Sequence, residues 1–296
     1  MAEPSVFERA LAPLRPLIPL RFRADIPIVP VVRLAGVIGL STPLKAGLTL
    51  ASVSRALDRA FSMPNVKAVA LGINSPGGSA VQSHLIFRRI RALAEEKKLP
   101  VIAFVEDVAA SGGYMIACAA DEIVCDASSI VGSIGVVGGS FGFDKLIEKF
   151  GIERRLYTSG ERKAMLDPFL PEKAEDVERL KAIQHEIHEG FIGLVKARRG
   201  GKLDSRETAL FSGEYWTGRR GRELGLVDAI GDLRGVLRER YGDKVRTPLI
   251  AERGLFGRRL PGVNRSEFGL LGSGPSLAED TVSTLEARAL WARYGL

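Results

Sequence analysis

Short runs of apolar, often β-branched residues alternate along the chain with longer stretches in which apolar residues recur at helical spacing. The short runs Val31–Leu40, Val66–Ile73 and Pro100–Val105 predict strands. The longer stretches Leu50–Met63 and Ser79–Lys97 predict helices. Strands and helices that alternate in this way are typical of βαβ units. The pattern therefore predicts an α/β fold around a mostly parallel sheet that is buried on both faces.

The pattern changes in the second half of the chain. From Pro171 to Arg199, apolar residues recur at helical spacing between charges, which predicts a long amphipathic helix closed by Gly200. Residues 242–276 are rich in Gly, Pro and Arg and predict a linker, after which Ser276 opens a final helix that reaches about Tyr294. We therefore predict three parts: an N-terminal arm at residues 1–27, a main domain at 28–240, and a C-terminal part at 241–296 that holds the linker and the final helix.

Composition sets the outer bounds of function. The chain has 296 residues, 46% of them hydrophobic and 26% charged, which is enough to bury a full core. The net charge of +7 is spread along the chain and does not form a dense basic face with stacking aromatics, so we expect no nucleic-acid partner. Cys118 and Cys125 lie in apolar stretches, which favours free thiols in a reducing compartment over a disulfide or a metal site. The expected location is the cytoplasm.

The N-terminal arm is basic and contains several prolines, so we expect an extended conformation there. A membrane span needs about 20 consecutive apolar residues, and the sequence has no such run. A basic, apolar arm can still lie against an anionic surface, which leaves peripheral contact with the inner membrane open.

The candidate chemistry depends on a serine and a lysine. Ser111 lies in Ala-Ser-Gly-Gly-Tyr, and Lys163 follows in Gly-Glu-Arg-Lys. A neutral lysine can activate a serine in place of histidine, provided that the fold desolvates it or places other positive charge nearby. Upstream, Asn-Ser-Pro-Gly-Gly ends at Gly77 and Gly78 and looks like the strand end and glycine turn of a backbone oxyanion hole.

These motifs, together with Gly-Ser-Ile-Gly-Val at 132–136, resemble the signal peptide peptidase A family of serine peptidases, including its SohB-type relatives, over residues 28 to 240. The resemblance implies a crotonase/Clp-protease-like spiral of parallel strands and helices with a C-terminal helical region. It implies a serine endopeptidase that cleaves extended or membrane-derived peptides, such as signal peptide remnants, through an acyl-enzyme. Ser111 would be the nucleophile and Lys163 the general base, with oxyanion donors at Gly112 and at either Gly77 or Gly78.

The same resemblance implies that no cofactor or metal is needed. It also implies a homo-oligomer, and the long stretch between the two catalytic residues leaves open whether one site draws them from two subunits. Peptide substrate is the other expected partner. We expect such a peptide to bind as an added strand beside the glycine turn, because backbone pairing tolerates many sequences.

Competing interpretations remain. A Clp-type Ser-His-Asp triad needs a histidine shortly after the serine, and the sequence has none between Ser111 and Lys163. His185 and His188 share a helix face and could bind a metal, but a third ligand is not evident. An inactive scaffold with the same fold and an acyl-CoA enzyme of the crotonase type are the two functional alternatives.

Overall fold

The structure, a computed structural model, describes residues 26–39, 47–160, 162–204, 206–250 and 277–296. The strands are β1 Val31–Ala35, β2 Val69–Ser75, β3 Val101–Ala110, β4 Glu122–Cys125, β5 Ile130–Gly132, β6 Tyr215–Thr217 and β7 Ala229–Ile230. The helices are α1 Leu50–Phe61, α2 Ala80–Lys97, α3 Gly112–Ala117, α4 Asp144–Lys149, α5 Ala174–Arg199, α6 Gly218–Glu223, α7 Leu233–Tyr241 and α8 Leu277–Ala292, with a 3-10 turn at Thr208–Phe211.

The sheet is built on parallel strands in the order β1-β2-β3-β4-β7. Strand β3 is long enough to have two successive neighbours on one side. Its residues Ile102–Val105 pair with β4, and its residues Val108–Ala110 pair with β5. Strand β5 then pairs with β6 in the antiparallel sense. The predicted α/β fold with a parallel sheet is confirmed, and β3 changes its pairing partner from β4 to β5 along its length.

Both faces of this sheet are covered, as predicted. All seven residues of β2 are buried. One face packs against α1, α2 and α3, which contribute fully buried side chains such as Leu57, Ile90 and Tyr114. On the other face, Ile102 and Leu237 belong to a smaller cluster covered by α7. Because burial of one large aliphatic side chain contributes about 1.5–3 kcal/mol, this double-sided core fixes the strand ends that carry the candidate chemistry.

The free edge of β1 is covered by chain that the sequence predicted to be linker. Val31 N–H donates to the Pro248 carbonyl at 2.9 Å, and Ile250 N–H donates to the Val31 carbonyl at 2.8 Å. Pro248 and Ile250 therefore extend the sheet edge and lie beyond the predicted domain boundary at residue 240. The predicted linker from residue 251 to 276 and the N-terminal arm up to residue 25 lie outside the described residues, so the domain boundaries stay predictions.

The long amphipathic helix is confirmed as α5, and the final helix as α8. Helix α5 buries only Phe191, Val195 and Arg199, so it lies on the surface of the sheet region with one end anchored. Among the described residues, no helix combines the length and the apolar character that a membrane crossing requires.

Candidate active site

Ser111 occupies the sharp turn between β3 and α3. Its backbone has φ of 52° and ψ of −121°, a conformation that costs a residue with a side chain of the order of 1–3 kcal/mol. The turn is held on both sides: Ser111 N–H donates to the Gly132 carbonyl at 2.8 Å, and the Ser111 carbonyl accepts from Met115 N–H at 2.9 Å. A strained backbone that is held in place by its surroundings in this way is typical of functional sites.

The Ser111 hydroxyl does not cap the helix that it opens. Serine is a favoured N-cap residue because its oxygen accepts a bond from the first turn, yet Ser111 makes no such bond. Its side chain is partly exposed and lines a cavity of about 620 Å³. The turn therefore presents the hydroxyl to the cavity, and the simpler interpretation of Ser111 as a helix cap does not hold.

The glycine turn after β2 lies directly against this serine. Gly77 has φ of 104°, and a Cβ built on it would lie 2.8 Å from the Ser111 Cβ and 3.1 Å from the Gly112 nitrogen. Only a residue without a side chain allows this approach. The structure thus brings Ser111, Gly77 and Gly112 together, as the sequence predicted.

The two candidate glycines differ in what their amides already do. Gly77 N–H donates to Ser75 Oγ at 3.2 Å, and that hydroxyl in turn donates to the Gly36 carbonyl at 2.7 Å. Gly78 forms an isolated parallel bridge with Ile38, in which the hydrogen bonds run from Ile38 N–H to the Gly77 carbonyl and from Ser79 N–H to the Ile38 carbonyl. In a parallel bridge of this kind the central residue's own N–H points away from its partner strand. Gly78 also lines the cavity with Ser111, which favours its amide over that of Gly77.

The opposite wall of the cavity is the segment after β5. Ser133, with φ of 53°, donates its N–H to the Glu214 carbonyl at 2.6 Å. A ring nitrogen of His188, which projects from α5 into the same cavity, lies 3.0 Å from the Ile134 carbonyl. The lining mixes polar groups with apolar side chains, and the apolar side chains are those of Met115, Val136, Val137, Ile187, Phe191 and Leu290. The position of His188 in this cavity could not be predicted from the sequence, because the helical pattern does not indicate which elements α5 packs against.

Lys163 lies elsewhere on the chain. It is exposed, and its N–H donates to the Gly160 carbonyl at 3.2 Å within a short turn. Among the described residues that line the Ser111 cavity, Lys163 does not occur. A single chain thus assembles the predicted nucleophile and oxyanion donors and leaves the predicted base apart from them.

The remaining polar candidates have structural partners. Asn74 Nδ2 donates to the Asp107 carboxylate at 2.6 Å, and Asn74 Oδ1 accepts from Val108 N–H at 3.3 Å, so this pair holds the irregular part of β3 next to Ser111. Asp126 accepts from Ser128 N–H at 2.8 Å, a bond that lowers the pKa of Asp126. The part of the chain that the structure describes contains no group of three potential metal ligands, so His185 and His188 lack further ligands there.

An ion pair between Arg199 and Asp228 anchors the C-terminal end of α5 near α3, the helix that follows Ser111. Arg199, with 3% of its side chain exposed, donates to the Asp228 carboxylate at 2.6 Å and to the Gly225 carbonyl at 2.7 Å. Burial alone raises the pKa of Asp228, but the hydrogen bonds from Arg199 and Lys202 outweigh it and hold that pKa below its ordinary value. Beside this pair, the Tyr114 hydroxyl donates to the Leu226 carbonyl at 2.8 Å, so the helix that follows Ser111 is tied to the same region.

The two cysteines are free and buried. Burial raises the pKa of Cys118 to about 12 and that of Cys125 to about 12, so both thiols stay protonated at neutral pH. A protonated buried thiol is a poor nucleophile. Neither cysteine therefore competes with Ser111 for the catalytic role.

The sequence of the chain is similar to those of known proteases. Residues 93–244, more than half of the chain, match peptidase family S49. The chain is 41% identical over 171 residues to the chloroplastic serine protease SPPA of Arabidopsis thaliana, which is 56% of this chain and 24% of that protein. It is 35% identical over 182 residues to protease 4 of Haemophilus influenzae, which is 61% of this chain and 29% of that protein.

Another protein that is similar to the chain is not named as a protease. The chain is 55% identical over 287 residues to a protein of Brucella abortus named Na(+)/H(+) antiporter NhaA, covering 96% of this chain and 39% of that protein. The name therefore belongs to a protein of which this chain spans about two fifths. The matched stretch includes the segments that hold Ser111 and Lys163 within the family match at 93–244. On that match, which covers more than half of its length, the chain belongs to peptidase family S49.

Proposed function

We propose that the chain is a serine endopeptidase in which Ser111 is the nucleophile and Lys163 the general base. The observation that carries the proposal is the strained turn at Ser111, whose hydroxyl is left free of the helix cap and lines a cavity beside two glycine amides. Membership of a peptidase family supports the reaction class. Lysine is a suitable base because, unlike arginine, it loses its proton when the surroundings disfavour charge.

In the proposed reaction, Ser111 Oγ attacks the peptide carbonyl carbon and its proton passes to the Lys163 amine. The N–H groups of Gly78 and Gly112 donate to the oxygen of the tetrahedral intermediate. Such a donor is typically worth about 10²–10³ in rate. The protonated lysine then gives its proton to the departing amine, and water, deprotonated by the same lysine, hydrolyses the acyl-enzyme to regenerate Ser111.

The cavity supports an extended peptide with apolar side chains as the substrate class. Its lining includes two walls, one with Gly78 and Ala80 and the other with Ser133 and Val137, together with the apolar side chains of Met115 and Phe191. A peptide between the walls would bind as an added strand, with its main chain giving affinity and its side chains in the apolar lining. Remnants of signal peptides fit this description, since their central region is apolar.

We propose further that Lys163 reaches the cavity of a neighbouring copy in a homo-oligomer. The lysine segment, which we define as residues 137–169, exposes an unusual number of large apolar side chains. Their exposed fractions include 79% for Phe141, 72% for Phe150, 58% for Ile152 and 90% for Tyr157. Exposed apolar clusters of this size mark interaction surfaces, and a second copy would bury them while delivering the base.

Contact with a membrane surface is proposed only as peripheral and electrostatic, through the arginines of the N-terminal arm. Attachment of that kind is screened by salt. Flotation with vesicles that contain anionic lipid should therefore fall as salt rises. Binding that resists high salt would contradict a peripheral mode.

Labelling with a fluorophosphonate probe tests the nucleophile. The wild-type protein should be labelled at Ser111, and Ser111→Ala should not. The same protein samples distinguish the proposed peptidase from the two functional alternatives. An inactive scaffold would take up no probe. An acyl-CoA enzyme would turn over thioesters and be indifferent to Lys163→Ala.

A further inference from the structure

Helix α8 packs through a single face. Within the described stretch 284–296, the half-buried residues Ala287, Leu290, Trp291 and Tyr294 recur at helical spacing, while Leu285 on another face is 60% exposed. No residue of this stretch is fully buried. The helix is therefore docked on the surface and is not a part of the core.

The surface under α8 is the candidate active site. Leu290, Arg293 and Tyr294 line the same cavity as Ser111. Leu290 and Arg293 also line the adjoining groove between Val37–Gly39 and Gly78–Ser79, a space of about 610 Å³. Gly78, the glycine proposed to donate to the oxyanion, and the C-terminal end of the helix therefore line both spaces.

Three contacts hold the end of α8 to the other wall of the cavity. The Tyr215 hydroxyl donates to the Arg293 carbonyl at 3.1 Å, and the rings of Tyr215 and Tyr294 meet edge to face with centroids 5.0 Å apart. The Tyr294 hydroxyl donates to Ser133 Oγ at 3.3 Å. Both hydrogen bonds are long, and Tyr215, which forms one of them, is exposed. We therefore expect this end of the helix to detach locally at a small cost in free energy.

We propose that α8 is a lid that competes with peptide for the cavity. A peptide paired beside Gly78 and Ser133 would need the space that Leu290 and Tyr294 occupy. The effect of the lid on activity rests on the proposed peptidase function. The protein then binds peptide only in its open fraction. If nine molecules in ten are closed, removal of the docking contacts raises apparent affinity about tenfold.

The test uses the full chain with two substitutions on the docked face, Leu290→Asp and Tyr294→Ser. The matched control is Leu285→Asp, which places the same charge on the exposed side of the same helix. Amide hydrogen exchange at residues 78–80 and 133–137 should become faster in the double variant and stay unchanged in the control. Labelling of Ser111 by a fluorophosphonate attached to a short peptide should become about tenfold faster, again only in the double variant.

The two readouts separate the lid from the chemistry. Faster exchange without labelling of any protein would support the lid and sink the peptidase proposal. Exchange in the double variant equal to that of wild type would overturn the lid, whatever the labelling shows. If the double variant melts well below wild type, Tyr215→Phe replaces it, because that change removes only the hydrogen bond to the Arg293 carbonyl.

Discussion

Ser111 and Lys163 lie in two regions of opposite character. Ser111 follows a strand that is paired on both sides, and its backbone is bonded to the neighbouring β5 end. Lys163 lies in the lysine segment, where helix α4 has no buried residue and the ion pair between Arg154 and Asp167, at 2.8 Å, stays within the segment.

The difference separates the part of the site that one chain pre-organises from the part that, under the proposed function, a second copy would supply. A nucleophile and its oxyanion donors must be held to within a fraction of an ångström, and a double-sided core supplies that rigidity. Lys163, the proposed base, lies by contrast in a segment whose large apolar side chains are exposed to water, which is unfavourable in free energy. An interface that covers Phe141 and Phe150 would recover that cost and, by excluding water, favour a neutral Lys163.

The largest expected effect comes from either half of the dyad. Ser111→Ala and Lys163→Ala should each lower kcat/KM for a peptide substrate by at least about 10³-fold, because each removes one part of a unit that acts jointly. The double variant should be little worse than either single one. Ser212→Ala, in the same cavity wall, and Lys149→Ala, on the same exposed segment, are matched controls and should retain activity. Substantial turnover by a folded Lys163→Ala protein would remove lysine from the mechanism.

Substitution of the carboxylate that pairs with the buried Arg199 should separate the stabilities of the two regions. Asp228→Asn leaves Arg199 charged and buried without its partner, so we expect the free energy of unfolding to fall by about 3–5 kcal/mol. Glu153→Gln, in the lysine segment, removes an ion pair with Arg155 in which both side chains are exposed, and it should lower the free energy of unfolding far less. Urea titration of the two variants beside wild type makes the comparison. Equal losses would mean that the lysine segment is as firmly tied to the core as the serine helix.

The contribution of Asp228 should depend on pH in a defined direction. Its pKa is lower in the folded protein than in an unfolded chain, so the folded state gains stability from it above the ordinary carboxyl pKa of about 4. That stability is lost as the pH falls through the lowered value. The gap in melting temperature between wild type and Asp228→Asn should thus be constant near neutrality and shrink below about pH 4.

Mixed oligomers test whether the two regions meet between chains. When Ser111→Ala and Lys163→Ala chains are co-expressed in equal amounts, random mixing in a head-to-tail ring should restore about a quarter of the sites. Mixing is verified with two different affinity tags. If both residues of a site come from one chain, no intact site forms and activity stays at background, even though the dyad itself is unaffected.

Sequence reasoning succeeded where local pattern and close packing coincide. Strands β1, β2 and β3, the helices α1, α2 and α5, and the proximity of Ser111, Gly77 and Gly112 all follow from periodicity and short motifs. It failed where a contact depends on distant chain. Pro248 was predicted to lie in a linker and instead covers the edge of β1, because an unpaired strand edge accepts any extended segment that reaches it.

The choice between Gly77 and Gly78 also needed structure. The two glycines are adjacent in one turn motif, and their amides are distinguished only by contacts with other parts of the chain: Gly77 N–H donates to Ser75 Oγ, whereas Gly78 bridges Ile38 and lines the cavity. His188 and Tyr294 line the cavity because of where α5 and the end of α8 pack, which no periodicity encodes. The position of Lys163 at the site is not settled by one chain and stays a prediction.

The smallest expected effect concerns the histidines. His188 contacts the Ile134 carbonyl through its ring at 3.0 Å, so it can hold the wall of the cavity without taking part in the reaction. His185→Ala combined with His188→Ala should leave kcat largely intact, and a loosened wall should raise KM by no more than a few fold, because one net hydrogen bond contributes about 1 kcal/mol. A chelator should have no effect on wild type. If a chelator abolishes activity and a divalent metal restores it, and if the double histidine variant is inactive, a metal site on α5 would replace the serine–lysine mechanism. His188→Asn keeps an N–H that can donate to the Ile134 carbonyl, so recovery of the wild-type KM in that variant would assign the histidine to positioning of the wall.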